Sequence, residues 1–239
     1  MPSKAKLRQY QQLRSKKFRQ KYGLFVVEGL KSINELLHSN WPVETILCTS
    51  AFCDAQASEV DGEVEVVDKA DFMAVSQHKN PQEVLAIAKI RAPVVNEGDW
   101  QIALDGINDP GNLGTIMRIA DWYGINTVYC STDTVDTFNS KVIQATMGSF
   151  LRVNVVRGDL SELLKDKKVF ATLLDGDNVR EISAPEGGVL LIGNEANGIS
   201  EELLNHLSHT AVTIPGSGTT ESLNAAMATA ICCERLVGG

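Results

Sequence analysis

The stretch that decides the fold reads VLLIGNEANGIS over residues 189–200 and AVTIPGSGTTESLNAAMATAICCERL over residues 211–236. Two apolar runs, Val189–Ile192 and Ala211–Ile214, each stop at a loop of Gly, Asn, Ser and Thr, and each loop opens a helix. Buried parallel strands read this way, with the polar loop marking their ligand-facing end. In the last helix Leu223, Ala226, Met227, Ala230 and Ile231 recur at helical spacing, which predicts the face turned to the core. Thr220, Glu221, Ser222 and Asn224 gather at its start, where free backbone N–H groups also point. Two such loops side by side make a small-molecule pocket.

Working outward, strand and helix patterns alternate. Strand Gln101–Leu104 leads to a helix over Asn112–Tyr123, and strand Thr127–Tyr129 to a helix over Asn139–Met147. Strand Leu151–Val156 precedes a helix at Leu160–Leu164, and Val169–Leu173 runs into a loop over Leu174–Gly188. Such alternation predicts a parallel sheet covered by helices, an α/β fold. Upstream, residues 4–22 form a loose helical pattern in which Leu7, Tyr10, Leu13, Phe18 and Tyr22 sit among cations. Strands at Leu24–Val27, Val43–Cys48, Val64–Val67 and Val84–Ala88 then alternate with helices to give a smaller α/β unit ending near Arg91. Residues 92–99, APVVNEGD, read as a linker. Two domains follow, over residues 1–95 and 99–239.

Composition narrows the class. At 239 residues and 44% apolar content the chain has ample core, and no apolar run approaches the ~18 residues of a membrane span. The start, MPSKAKLRQY, has no signal-peptide stretch, so a cytoplasmic location is expected. The five cysteines show no CxxC spacing and His206 and His209 lack ligand-type neighbours, so neither a disulfide framework nor a metal is expected. Net charge is −8, but residues 1–30 hold eight cations against Glu28 alone, a net of +7 that leaves −15 for the rest. A concentrated basic segment on an acidic body suits a polyanion, with Lys16, Lys17 and Arg19 as the candidate RNA contacts. A solvated basic helix without a partner has the same charge pattern.

GNEANGIS followed by IPGSGTTESLNAAMA resembles motifs two and three of the SpoU/TrmH RNA ribose methyltransferases, and DGINDPGNLGTIMRIADWYGI at residues 105–125 resembles motif one. Three motifs in the family's order and spacing carry more weight than any one glycine loop. The basic start and FVVEG are similar to the substrate-binding domain many members carry, of the ribosomal L30e type. The resemblance implies 2′-O-ribose methylation of RNA with S-adenosylmethionine, a homodimer that completes the site, and a deep trefoil knot holding the cofactor. Periodicity by itself reveals no threading. The separate basic domain favours ribosomal over transfer RNA.

By position, the resemblance assigns Asn112, Arg118, Glu195, Ser222 and Asn224 to the catalytic site, and Thr172, Gly193, Ile214 and Leu223 to the cofactor. Each also has an ordinary reading: Arg118 as an i, i+3 partner of Asp121, Asn112 and Ser222 as helix caps, Asn224 as a first-turn polar residue, Glu195 as a loop carboxylate. The family commonly treats this arginine as a base; with a pKa above ~12 a guanidinium is better suited to stabilising a forming alkoxide. Glu195 is expected to hold Arg118 or the loop. GSGTT at 216–220 lacks the lysine of a nucleotide-hydrolase loop, and no GxGxxG follows a strand. Two rivals remain, a catalytically silent RNA-binding or assembly factor and a small-molecule methyltransferase.

Overall fold

The predicted alternation is realised as two sheets in a computed structural model, which describes residues 2–95, 98–183, 185–220 and 222–238. Part of the expected 92–99 linker, and Glu221, lie outside these residues. In chain order come α1 (Lys4–Gln11), α2 (Lys16–Tyr22), β1 (Leu24–Glu28), α3 (Leu30–His38), β2 (Val43–Cys48), α4 (Ser50–Gln56), β3 (Glu65–Val66), α5 (Lys69–Val75) and β4 (Val84–Lys89). They are followed by β5 (Trp100–Leu104), α6 (Pro110–Trp122), β6 (Thr127–Cys130), α7 (Ser140–Thr146), β7 (Asn154–Arg157) and α8 (Leu160–Leu163). The chain ends with β8 (Val169–Asn178), β9 (Gly188–Ile192), α9 (Glu201–His206), β10 (His209–Thr213) and α10 (Ala225–Leu236). Two compact units result: residues 1–92 with 136–151, and residues 93–135 with 152–239.

The first unit carries a four-stranded sheet in the order β1-β4-β2-β3, antiparallel except where β2 meets β3. Leu13, Val26, Phe72, Leu85 and Ile87 form its buried centre, each worth about 1.5–3 kcal/mol in removed apolar surface. The basic start is not one helix. Ser15 is extended, so the chain breaks into α1, a short 3-10 turn and α2, which ends on left-handed Gly23 (φ +64°). Leu7, Tyr10 and Leu13 are buried, while Phe18 and Tyr22 are half-buried and stack at 5.9 Å.

Two expectations are corrected in this unit. Arg19 is only 3% exposed: its Nε donates to Asp136 at 2.9 Å and its Nη1 to the carbonyls of Leu13 and Arg14. A guanidinium held in this way is a structural ion and does not meet RNA. Lys16 and Lys17 remain exposed. Arg19→Ala is therefore expected to cost about 2–3 kcal/mol by urea unfolding, because it strands a partly buried carboxylate, whereas Lys16→Ala and Lys17→Ala stay within about 0.5 kcal/mol. The helix expected at Asn139–Met147 within the C-terminal domain packs on β1 instead. Phe138 and Phe150, which flank it, lie 4.6 and 5.9 Å from the Phe25 ring. Periodicity reveals an apolar face without revealing which core receives it.

The second unit is a six-stranded, wholly parallel sheet in the order β10-β8-β9-β5-β6-β7. All five residues of β5 are buried, as a central parallel strand requires. β7 starts at Asn154, not Leu151, because Ser149–Leu151 close a 3-10 turn. β8 runs on to Asn178 where a loop was expected. Its ladder to β10 passes from Ala171↔Ala211 directly to Asp177↔Val212, so residues 172–176 bulge out between the two pairings. The core face of α10 is also corrected: Ala225, Ala226, Thr229, Cys232, Cys233 and Leu236 are buried, while Leu223 and Met227 are 51% and 58% exposed. Small side chains face inward because α10 lies on α6 and β9, where only short residues let the backbones approach.

Candidate active site

Ala171 pairs with Leu191 on one side and Ala211 on the other, so the C-terminal ends of β8, β9 and β10 sit at nearly one level. The 172–176 bulge, the 193–200 loop and the segment from Ile214 to Asn224 consequently leave the same edge of the sheet, where parallel α/β sheets bind ligands. The 193–200 loop is closed on itself. Asn194 and Gly198 exchange two backbone hydrogen bonds of 2.9 Å, and Gly198 adopts a left-handed φ of +69°. The Asn194 Oδ1 accepts from the amides of Ala196 and Asn197, and its Nδ2 donates to the Gly106 carbonyl at 2.6 Å. Asp105 accepts from the Ser200 amide at 2.8 Å, which pins the loop's far end to the end of β5. A Cβ on Gly193 would run into the backbone of Gly198 and Ile199, so only glycine lets the loop fold back this closely.

Three distant residues meet beside this loop. Asp109 caps α6 by accepting from the Asn112 amide at 2.8 Å, with Pro110 in the first turn. Asn112 is thus not the cap but a residue inside the first turn, 8% exposed. Its Nδ2 donates to Glu195 Oε1 at 2.8 Å, and its Oδ1 accepts from Asn224 Nδ2 at 2.9 Å. A carboxylate only accepts, so its contact fixes which way the Asn112 amide points. Asn224 in turn caps α10, accepting from the amides of Ala226 and Met227, a position expected for Ser222. One hydrogen-bonded line therefore runs from α10 through α6 to the 193–200 loop.

Arg118 and Ser222 stand outside that line. Both are exposed, and neither side chain has a hydrogen bond or ion pair among the described residues. The i, i+3 pairing with Asp121 is not formed, because Arg152 takes that carboxylate through Nε at 2.9 Å and Nη2 at 2.7 Å. Glu195 likewise holds Asn112 and not Arg118. Six residues along an α-helix is a rotation of about 120° from Asn112, which turns Arg118 to the open side of α6. Of the expected cofactor residues, Thr172 donates through Oγ1 to the Leu191 carbonyl at 3.0 Å, Gly193 and Ile214 are half-buried, and Leu223 is exposed.

A profile of the SpoU rRNA Methylase family matches residues 99–234. The chain belongs to that family. A second profile, the MRM3-like substrate binding domain, matches residues 4–86. The 23S rRNA (guanosine(2553)-2′-O)-methyltransferase RlmP of Bacillus subtilis is 30% identical, covering 98% of this chain and 96% of that protein. A TrmH-family structure from Porphyromonas gingivalis superposes with a TM-score of 0.84 at 34% identity, covering 98% of each chain. An AdoMet-bound rRNA methyltransferase from Sinorhizobium meliloti gives 0.83 at 30% identity, over 98% of this chain and 95% of that one.

For a SpoU-family chain this strand-end edge carries residue types that could hold a cofactor: backbone groups at Gly193, the Thr172 hydroxyl, and the apolar side chains of Ile214 and Leu223. These fit an adenosine-bearing cofactor held by its base edge and flat face. Burial pushes the thiols of Cys130, Cys232 and Cys233 up to about 12, which keeps these three protonated and unreactive. Among the described residues no His, Cys, Asp and Glu cluster could hold a metal, and no helix is long and apolar enough to cross a membrane. Asp105, Asp109 and Asn194 escape the sequence reading, although Gly193-Asn194 is a turn signal of the Asx type. Arg157 escapes it too; its Nη1 and Nη2 donate to the carbonyls of Ser131, Thr134 and Val135 and tie down the loop after β6, and no local pattern announces it.

Proposed function

We infer that the chain is an S-adenosylmethionine-dependent methyltransferase acting on the ribose 2′-hydroxyl of ribosomal RNA. The whole-length likeness to a 23S rRNA 2′-O-methyltransferase, joined to the Asn112–Glu195–Asn224 line at the strand-end edge of the parallel sheet, carries this reading. When bound at Thr172, Gly193, Ile214 and Leu223, the cofactor supplies a methyl group activated by a sulfonium. Asn112, Glu195, Ser222 and Asn224 orient the nucleotide, and Arg118 stabilises negative charge growing on the ribose oxygen. The C-terminal segment is knotted, a reading supported by β9 lying between β5 and β8 and by the loop backbone folding on itself at Gly193.

The enzyme works as a homodimer. Thr115, Arg118 and Trp122 share the open side of α6, and Trp122 is 85% exposed, which suits a second copy. Arg118 of one subunit then serves the Asn112–Glu195–Asn224 line of the other. The 1–95 region is an L30e-like RNA-binding domain, with Lys16 and Lys17 on its surface, and the protein acts in the cytoplasm without a metal. Incubation with labelled S-adenosylmethionine and deproteinised total RNA is expected to label ribosomal RNA at one ribose, found by mapping alkali-resistant linkages. RNA binding without label would leave a silent assembly factor. Turnover of a small acceptor, indifferent to Lys16→Glu and Lys17→Glu, would indicate the small-molecule enzyme.

A further inference from the structure

The first unit holds a groove of about 400 Å³ lined by Arg14, Ser76, Gln77, His78, Lys79 and Ser140. Every lining side chain carries a hydrogen-bond donor, none is acidic and none is a large apolar group. Its floor is fixed in place. Glu28 accepts from the Ser76 hydroxyl at 2.6 Å and the Gln77 amide at 2.7 Å, and the Ser76 Oγ accepts from the His78 amide at 3.2 Å. Arg14 is anchored through Nη2, which donates to the carbonyls of Ser76 at 2.6 Å and Met73 at 3.2 Å. Its Nε and Nη1 have no acceptor among the described residues and remain available as separate donors. Cation density continues along the chain at exposed Lys16 and Lys17.

We propose that this groove seats a phosphate of the substrate RNA backbone, away from the ribose that is methylated. The proposal rests on the RNA methyltransferase reading above and adds the residues by which the first unit grips its substrate. With Nη2 held by two carbonyls, the fixed guanidinium still offers a phosphate a charge-assisted N–H from Nε or from Nη1, and Lys79 and His78 add donors without demanding a base identity. A polar, open groove with no apolar floor suits a sugar–phosphate backbone better than a stacked base or an apolar peptide.

The test uses the full-length chain and deproteinised ribosomal RNA, with binding measured across a salt series and methyl transfer at saturating cofactor. The double variant His78→Glu, Lys79→Glu is expected to weaken RNA binding and raise the RNA KM by about 10-fold, and to flatten the salt dependence by about one to two counterions. Its kcat, cofactor affinity and urea midpoint stay at the wild-type values, since Lys79 is exposed and the half-buried His78 lines the open groove. Lys165→Glu, an exposed charge on the second unit, controls for net charge and is expected to change the RNA KM less than about twofold. An unchanged KM and salt slope in the double variant overturns the groove while methyl transfer by the wild type keeps the enzyme reading. An equal loss in Lys165→Glu also overturns it, as a mere effect of total charge. A wild-type chain that neither binds nor labels RNA removes both.

Discussion

Arg118→Ala is expected to slow single-turnover methyl transfer by about 10³-fold, while affinity for S-adenosylmethionine stays within about twofold and stability within about 0.5 kcal/mol. The fold loses nothing because this side chain is exposed and Asp121, its ordinary helical partner, is already bound to Arg152. An unpartnered guanidinium on a helix otherwise tied down by hydrogen bonds is consistent with a group kept for a ligand or a second subunit. With its high proton affinity it acts by charge and not as a base, so Arg118→Lys is expected to recover part of the rate. Subunit mixing separates two arrangements. If Arg118 serves the partner's site, equal amounts of Arg118→Ala and Asn112→Asp chains restore about a quarter of wild-type activity, since half the dimers are mixed and each holds one intact site. Service within its own subunit leaves both sites of the mixed dimer broken, and no activity returns.

Much of the architecture was legible because strand burial and helix periodicity are local signals. Val43–Cys48 was read to the residue, and the loops after β9 and β10 were placed at the ends of their strands. Whatever depended on a distant partner was not legible. Arg19 reads as one cation among eight until Asp136, 117 residues away, is seen to bury it. The Asn112 amide is defined by Glu195 and Asn224, 83 and 112 residues further on. The residue types in the family motifs identified these positions, but they did not reveal that Asn112, Glu195 and Asn224 bind one another while Arg118 and Ser222 stay apart. The face of α10 failed for a different reason. A pattern search weights Leu and Met as core, whereas a helix pressed against α6 and β9 buries Ala, Thr and Cys and leaves the larger residues outside.

Asn112→Asp is expected to lower stability by about 2–3 kcal/mol and turnover by about 10²-fold or more, with melting and single-turnover rates as the readouts. The substitution is nearly isosteric, but it exchanges the Nδ2 donor, 2.8 Å from Glu195 Oε1, for an oxygen on a residue that is itself only 8% exposed, facing an exposed Glu195. Two carboxylates then face each other and cannot both stay ionised at that distance without cost. Asn112→Ser, which loses the bonds without adding the repulsion, is expected to fall about halfway between wild type and Asn112→Asp in stability. A second change isolates the cause. In Asn112→Asp, Glu195→Gln the glutamine amide can donate to the new carboxylate, so the same contact is rebuilt with its donor and acceptor exchanged, and most of the lost stability returns. A double variant no more stable than Asn112→Asp alone would show that the line from α10 to the 193–200 loop does not depend on this bond. Activity then distinguishes two roles for Glu195. If its carboxylate only holds Asn112 in place, turnover recovers with stability; if the carboxylate itself meets the ribose or its neighbours, the refolded double variant stays slow.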